Sequence, residues 1–347
     1  MTGFKARLKA FGFARLIILL FLLVLCILMP IVHVPIGMTL SQSLVRVGIN
    51  LVLSIAMVPG IIAGTGMNFA LPIGVECGLI AGMISLQFNM TGLAGILGAI
   101  LISIPISIIV GFLYSLLINR VPGNEMMVST YMAFSIVALM SIGWIVLPFS
   151  HPGIVWSIGN GLRTTITLEA WYDRVLNRMF AFNFLGVDIP VGLILACAIF
   201  CVLVYLFMNS YTGIMMRSVG ENPNFARANG VSVKNMRTLS VILSMVLAGI
   251  GIIIYAQGFG FYQLYSAPEM MAFPAIAAVL IGGATPSRIS IGNVVLGTLM
   301  FQSLLTIAVP VANAFIPEGN MSEVVRTIIS NGIILYALSR MQGGKKV

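Results

Sequence analysis

Long, continuous apolar runs dominate this sequence. Leu16–Pro30 is one such run; 59% of the residues are hydrophobic and only 8% are charged. A soluble domain carries about 25% charged residues, and a membrane-spanning helix needs about 20 residues that are mostly apolar. Because the runs are continuous rather than alternating, they indicate helices and not the strands of a barrel. The sequence therefore predicts an all-α integral membrane protein with one transmembrane domain over residues 1–347.

About ten transmembrane helices can be marked along the chain. The predicted spans are residues 16–35, 44–63, 70–88, 92–118, 126–148, 188–209, 236–258, 268–284, 291–315 and 322–340. An even number of spans places both termini on the same side of the membrane.

The basic residues indicate the orientation of the spans. With the N-terminus inside, 13 of the 18 Lys and Arg residues fall on the inner side and five on the outer side. Such a bias marks the cytoplasmic side of a membrane protein. Residues 1–15 and the segment 210–235 are therefore predicted to be cytoplasmic, and residues 149–187 form an external loop. The net charge of +9 follows this distribution, so we expect contact with membrane lipid and no nucleic acid partner.

Sequence motifs for catalysis, metal binding and nucleotide binding are not found. The chain has no Gly-x-x-x-x-Gly-Lys-[Ser/Thr] loop for ATP phosphates and no His-Glu-x-x-His motif. Cys197 and Cys201 are four residues apart, but no His or further Cys completes a zinc site beside them. We therefore expect no enzyme activity, no bound metal and no cofactor in this chain.

One polar segment between two long apolar runs has the pattern of a short capped helix. In residues 217–237, Asn222 suits the N-cap, Pro223 suits the first helical position and Gly230 ends the turn. An ordinary loop with one helical turn is the alternative interpretation. A small basic helix held between two spans is better suited to contact another protein than to contact lipid.

This segment, with Gly220-Glu221-Asn222-Pro223-x-x-Ala226-Arg227-x-x-Gly230-Val231, resembles the coupling segment of permease subunits of bacterial ABC importers. The most similar group is the simple sugar and nucleoside branch of the ribose and branched-chain amino acid permease family. The resemblance implies that the segment docks on an ATPase subunit. The residues that it assigns to this contact are Arg217, Glu221, Asn222, Pro223, Phe225, Ala226, Arg227 and Gly230.

Three further stretches are similar to the same family. They are the Gly-rich turn at residues 64–74, the start of the fifth span at residues 124–132, and the Gly-rich turn at residues 273–286. In the first turn, sugar-transporting members usually carry Asp where this chain carries Asn68, which favours the nucleoside pattern. The resemblance covers most of residues 44–340, but the 150–187 loop does not align.

The resemblance also implies the partners. They are ABC ATPase subunits that bind ATP and Mg²⁺, a second permease subunit that is identical or similar, and an external solute-binding protein. The permease would then translocate solute without hydrolysing ATP itself.

Breaks in the spans supply candidate residues for a translocation pathway, because broken helices offer backbone groups and polar side chains inside the membrane. For several of these residues a tight turn, helix packing or an interfacial position is an equally valid interpretation. Glu76 in particular either faces the pathway or is a protonated packing residue. The candidates are Thr65, Asn68, Phe69, Glu76, Ser129, Thr130, Gln257 and Phe261.

The candidate side chains are mostly neutral, which favours a neutral, hydroxyl-rich solute. A nucleoside or a simple sugar is the leading hypothesis, and a branched-chain amino acid or a vitamin such as riboflavin is the alternative. A secondary transporter driven by an ion gradient is the competing class. The coupling segment, and the lack of a series of intramembrane acids and histidines for proton transfer, favour the ABC permease.

Two structural features are also expected. Residues 167–176 have the pattern of an amphipathic surface helix within the external loop, which is alternatively a docking site for the binding protein. Residues 53–76 share a weak pattern with residues 243–269, and the two copies would run in opposite directions, as in an inverted repeat. The spacing differs between the copies, so chance similarity is the alternative explanation.

Overall fold

The computed structural model describes residues 13–159, 161–284 and 289–315, together with isolated helical positions between 324 and 335. Most of these residues are helical. In chain order the helices are α1 (Phe13–Ile31), α2 (Ile36–Ile55), α3 (Val58–Ile62), α4 (Leu71–Gln87), α5 (Gly92–Ile118), α6 (Glu125–Val146), α7 (Val175–Arg178), α8 (Val191–Asn209), α9 (Tyr211–Glu221), α10 (Pro223–Ala228), α11 (Val233–Phe259), α12 (Ala272–Ile281) and α13 (Ile291–Phe315). A 3-10 helix at Ala267–Met270 precedes α12.

The strands among these residues are short. Strand β1 (Thr165–Thr167) pairs antiparallel with β4 (Phe261–Gln263), and β2 (Phe182–Phe184) pairs antiparallel with β3 (Val187–Ile189). Each strand has three residues, so the predicted all-α class is confirmed.

Six helical stretches of the described chain are long and apolar enough to cross a membrane. They are Ile36–Ile62, Gly92–Ile118, Glu125–Val146, Val191–Asn209, Val233–Phe259 and Ile291–Ala314. Three shorter apolar stretches lie at Arg15–Ile31, Leu71–Gln87 and Ala267–Ile281. Each of the first nine predicted spans overlaps one of these stretches. The multi-span character is therefore confirmed, while the tenth predicted span, 322–340, falls almost entirely outside the described residues.

The predicted start of the second span at residue 44 is wrong. Helix α1 ends at Ile31, and α2 begins at Ile36, directly after Pro35. Proline disfavours helical geometry in the residue before it but suits a helix start, so Pro35 separates the two helices and the second one begins earlier than predicted. The eighth predicted span opens with the 3-10 helix Ala267–Met270, and its α-helix starts only at Ala272.

The predicted amphipathic helix at residues 167–176 is also wrong. Thr167 is the last residue of β1, and the only helix that overlaps the stretch is the four-residue α7, which starts at Val175. Arg174 has a left-handed backbone with φ of 51° and interrupts any helix at this point. Pairing between β1 and β4, which lie almost 100 positions apart in sequence, overrides the local apolar pattern.

Helix α11 lies at the centre of the helical assembly. It packs against α5, α4 and α2, and most of its length is buried. Helix α2 is equally buried and packs against α13, α11 and α12. Helices α6 and α8 are largely exposed by contrast, as expected for helices that face lipid or another subunit.

Glycines bring α4 and α11 into close contact. A Cβ at Gly74 would lie 2.7 Å from the carbonyl oxygen of Met245, and a Cβ at Gly78 would overlap the carbonyl oxygen of Gly249. Lipid tails are as apolar as leucine, so helices in a membrane associate through tight van der Waals packing that small residues permit. The α4–α11 pair therefore forms a rigid centre around which the other helices are arranged.

Candidate functional site: a capped surface helix and a polar cavity

The predicted short helix is present as α10. The Oδ1 of Asn222 accepts hydrogen bonds from the backbone N–H groups of Asn224 and Phe225, at 3.1 and 3.0 Å. Pro223 occupies the first turn, and Gly230 has φ of +78°, a left-handed conformation that suits glycine. The sequence therefore specifies both ends of this helix locally.

Nearly all the residues assigned to coupling lie on the surface. Phe225 is 61% exposed, and the same segment carries the charged residues Glu221 and Arg227. Ala226 is the exception: it is buried, and its carbonyl oxygen accepts a hydrogen bond from the N–H of Val231 at 3.0 Å. Ala226 thus anchors the helix while Phe225 projects from it. The other exposed residues of the set are Arg217, Asn222, Pro223 and Gly230.

Helix α9, which precedes α10, touches the turn after α3. A Cβ at Gly220 would overlap the carbonyl oxygen of Ile62, and a Cβ at Gly64 would lie 2.9 Å from the Cα of Gly220. The two backbones are thus in direct contact, with no side chain between them. This contact was not predicted, because nothing local in either stretch identifies its partner.

Three of the candidate pathway residues come together around one small polar cavity. Thr65, Asn68 and Ser129 line it, although Ser129 lies on α6, far along the chain from the other two. The volume open to the centre of a water molecule is about 10 Å³, close to the room that one water needs. The remaining lining residues are Gly60, Tyr114, Ile118, Val241 and Ser244.

Hydrogen bonds cross this cavity and hold its walls together. The Nδ2 of Asn68 donates to the Oγ of Ser244 at 2.8 Å, and the hydroxyls of Tyr114 and Ser129 are 2.7 Å apart. The Oγ1 of Thr65 donates to the carbonyl oxygen of Gly60 at 2.9 Å. All of these groups are neutral donors or acceptors, so they offer no counter-ion to a charged group. Tyr114 and Ser244 were missed by sequence reasoning, because a polar residue within an apolar span is a signal that they share with Ser85, Ser103 and Ser107, which do not line the cavity.

Four of the other candidates lie elsewhere. Phe69 is buried and meets Phe273 edge to face with ring centroids 6.2 Å apart, and Phe261 lies in β4. Thr130 is only half-buried, and its hydroxyl donates to the carbonyl oxygen of Met126 at 2.9 Å. Gln257 is fully buried, and its Oε1 accepts from the N–H of Leu176 at 3.2 Å. Gln257 therefore fastens the 149–187 segment to the end of α11.

Glu76 lies on α4 and is only 2% exposed. Neither of its carboxyl oxygens has a hydrogen-bond partner among the described residues. A lone charge in an apolar interior is costly, so this carboxyl needs a proton, a water molecule or a solute group as its partner.

Buried tyrosines join the 149–187 segment to the helices. The hydroxyl of Tyr172 is 3.1 Å from that of Tyr262 and 3.2 Å from the Oγ of Ser85 on α4. Burial raises the pKa of Tyr172 and raises that of Tyr262 well above its usual value. Both hydroxyls therefore stay neutral and act as hydrogen-bonding groups that fix the segment in place.

Comparison with known proteins shows a family to which this chain is similar. The family model described as "Branched-chain amino acid transport system / permease component" matches residues 39–337. The chain is similar to the nucleoside ABC transporter permease protein NupB of Lactococcus lactis subsp. cremoris, with 25% identity over 241 residues, 66% of this chain and 63% of that protein.

Two further relatives match over shorter stretches. The nucleoside ABC transporter permease protein NupC of the same organism is 33% identical over 103 residues, which cover 30% of this chain and 32% of NupC. The guanosine ABC transporter permease protein NupQ of Bacillus subtilis is 30% identical over 95 residues, which cover 27% of this chain and 30% of NupQ. The chain thus aligns with less than two thirds of NupB and about a third of the other two.

Proposed function

This chain belongs to the family of permease components of branched-chain amino acid transport systems, and from that premise we propose that it is the membrane-spanning permease subunit of an ATP-driven ABC importer. The observation that carries the proposal is the surface helix α10, where the exposed Phe225 projects from a segment held between α9 and α11. An apolar side chain flanked by charges at the tip of a capped helix is suited to a cleft on another protein.

The partners follow from this role. Two ATPase subunits bind ATP and Mg²⁺, and α10 docks on one of them. A second copy of this permease, or a similar one, completes the membrane assembly, and an external solute-binding protein delivers the solute to the 149–187 side. The largely exposed helices α6 and α8 support contacts with lipid or with the second permease.

We propose that the chain is oriented in the membrane as the distribution of its basic residues indicates. Both termini and the 210–235 segment are cytoplasmic, in the inner membrane of a bacterium, and residues 149–187 are external. The cavity lies near the cytoplasmic ends of α5 and α6, since Tyr114 is one turn from the end of α5 and Ser129 is one turn from the start of α6.

We propose ten spans built as an inverted repeat, and the packing of six helices supports the repeat. Helices α2, α4 and α5 would correspond to α11, α12 and α13. Helix α11 packs on α4 and α5, and in return α2 packs on α12 and α13. The first helix of each repeat would then pack on the second and third helices of the other repeat. Such an arrangement is expected of two repeats related by an axis in the membrane plane.

We propose that the permease translocates a nucleoside, with a simple sugar as the next candidate. The polar side chains at the breaks in the spans are mostly neutral, which favours a neutral solute, and the names of three relatives include nucleosides or guanosine. The family description names branched-chain amino acids, and these are therefore the alternative, together with a vitamin such as riboflavin. An ion-gradient transporter remains the competing class.

Reconstituted uptake tests the proposal. The purified chain with its ATPase and binding-protein partners would be assembled in vesicles and offered labelled nucleosides, pentoses, hexoses, riboflavin and leucine. We expect uptake of a nucleoside that requires ATP. Uptake of leucine alone would overturn the solute, and uptake that follows an ion gradient without ATP would overturn the ABC mechanism.

A further inference from the structure

We infer that the backbone contact between Gly220 and residues 62–64 carries movement of the coupling segment to the polar cavity. The inference deepens the proposed function and rests on it, because it concerns how docking at α10 reaches the membrane interior.

The contact lies close to α10 in sequence and in space. Gly220 is the second-last residue of α9, and α10 begins three residues later, after the cap Asn222. A displacement of α10 therefore moves Gly220 with it. The three atoms nearest to a Cβ built at Gly220 are all backbone atoms: the carbonyl oxygen and carbon of Ile62 and the amide nitrogen of Gly64.

On its other side the same turn forms a wall of the cavity. Thr65 follows Gly64 directly and bonds to Gly60 through both its hydroxyl, at 2.9 Å, and its N–H, at 3.0 Å. Asn68, three residues further on, donates to Ser244 across the cavity. A push on residues 62–64 therefore acts on the hydrogen bonds that close the cavity.

Backbone contact makes this link stiff. A flexible side chain can absorb a shift by changing rotamer, whereas two main chains in van der Waals contact cannot, and packed interfaces tend to move between discrete arrangements. Glycine is needed at both positions for this approach. At Gly220 the reason is space alone, while Gly64 also has φ of +73°.

A matched set of variants separates contact from backbone strain. Gly66 has φ of +79°, like Gly64, but a Cβ there would meet nothing within 4 Å. Gly64→Ala therefore introduces strain and disrupts the contact, Gly66→Ala introduces strain alone, and Gly220→Ala disrupts the contact without a positive φ. Each would be assembled with the ATPase subunits and binding protein in vesicles. Co-purification of the ATPase reports folding and docking.

We expect Gly220→Ala and Gly64→Ala to lose solute-stimulated ATP hydrolysis while basal hydrolysis and ATPase co-purification persist, and Gly66→Ala to keep its stimulation. Stimulation retained in Gly220→Ala, or lost equally in Gly66→Ala, would overturn the inference. A wild-type complex that shows no stimulation by any solute would instead contradict the proposed function on which the inference rests.

A second measurement does not depend on turnover. In a chain whose four cysteines are replaced, Thr65→Cys would be labelled with a small water-soluble maleimide, with and without nucleotide trapped by vanadate. We expect the labelling rate to change on trapping, and the change to disappear when Gly220→Ala is added. An unchanged response in the Gly220→Ala background would overturn the inference even if that variant assembles poorly.

Discussion

The guanidinium of Arg237 on α11 donates to the carboxylate of Glu125 at the start of α6, across 112 positions of sequence. Both side chains are largely buried, each 15% exposed. The second carboxylate oxygen of Glu125 accepts from the N–H of Gly123 at 2.7 Å, and Ser129, one turn further along α6, lines the cavity. The pair therefore fixes the start of α6, which carries Ser129 in the cavity wall.

Replacing Glu125 with Gln should destabilise the protein strongly. Breaking a buried ion pair from one side leaves the other charge uncompensated, which costs about 3 kcal/mol or more. Thermal unfolding in detergent would show a lower midpoint for Glu125→Gln, and Arg237→Met added to it should restore part of the loss. Glu169, which is exposed, provides the control substitution Glu169→Gln. Equal midpoints for the two single variants would contradict the prediction.

The hydrogen bond between Asn68 and Ser244 can be tested by a double-mutant cycle. Asn68→Ala and Ser244→Ala each remove the same bond, so each should cost about 1 kcal/mol of stability and the double variant should cost clearly less than their sum. Thermal unfolding would give the stabilities, and nucleoside uptake would show whether the cavity matters for transport. Thr130→Ala, on the largely exposed helix α6, is the control; strictly additive losses would mean that the bond does not form.

Local sequence was enough to predict several elements closely. The span at 92–118 coincides with α5, because it is a long apolar run that follows Thr91 and ends before Asn119, and the span predicted from residue 291 starts where α13 starts. The capped helix α10 was likewise predicted from Asn222, Pro223 and Gly230, since capping depends on neighbours within four residues.

Features that depend on distant pairing could not be predicted in this way. The pairing of Thr165 with Gln263 and the contact of Gly64 with Gly220 each join stretches about 100 or more positions apart, and no local pattern identifies the partner. The same holds for the cavity. Thr65, Asn68 and Ser129 were chosen as polar residues near breaks, but Tyr114 and Ser244 enter only through helix packing.

The membrane orientation predicts which positions reagents can reach. In a chain without its four cysteines, Ser157→Cys should react with an impermeant thiol reagent added to intact cells, because residue 157 is exposed on the proposed external segment. Ser339→Cys, at the proposed cytoplasmic end of the tenth predicted span, should react only after the cells are opened. The reverse pattern would invert the assignment.

The buried tyrosines predict a loss of stability at alkaline pH. Burial raises the pKa of Tyr172 and of Tyr262, so above a pH of about 10 an unfolded chain ionises these phenols while the folded chain keeps them neutral. Proton binding is then greater in the folded state, and the free energy of unfolding falls as pH rises. The stability is fully present below the unfolded pKa and is lost progressively as pH rises towards the folded value. Thermal unfolding between pH 8 and about 11 measures this.

A Tyr172→Phe variant serves as the test of that cause. Its free energy of unfolding at pH 8 should be lower by about 1 kcal/mol or more, because the hydroxyls of Ser85 and Tyr262 each lose a hydrogen bond. Its free energy of unfolding should also decline less steeply at high pH. Tyr211→Phe, at a position that is 78% exposed, is the control and should leave both quantities unchanged. An identical pH profile in Tyr172→Phe would point to other titrating groups.

The exposed residues of α10 predict where the ATPase docks. Phe225 is 61% exposed and Arg227 is also exposed, so neither side chain belongs to the packed core, and both are accessible to an ATPase. Replacing both with Ala should abolish solute-stimulated ATP hydrolysis and ATPase co-purification while membrane insertion and thermal stability stay near the wild-type values. Ala226→Leu offers a contrasting variant, since position 226 is fully buried and a larger side chain there should disturb the helix and lower stability. Undiminished stimulation in the Phe225→Ala/Arg227→Ala variant would mean that α10 is an ordinary loop helix and that the ATPase docks elsewhere.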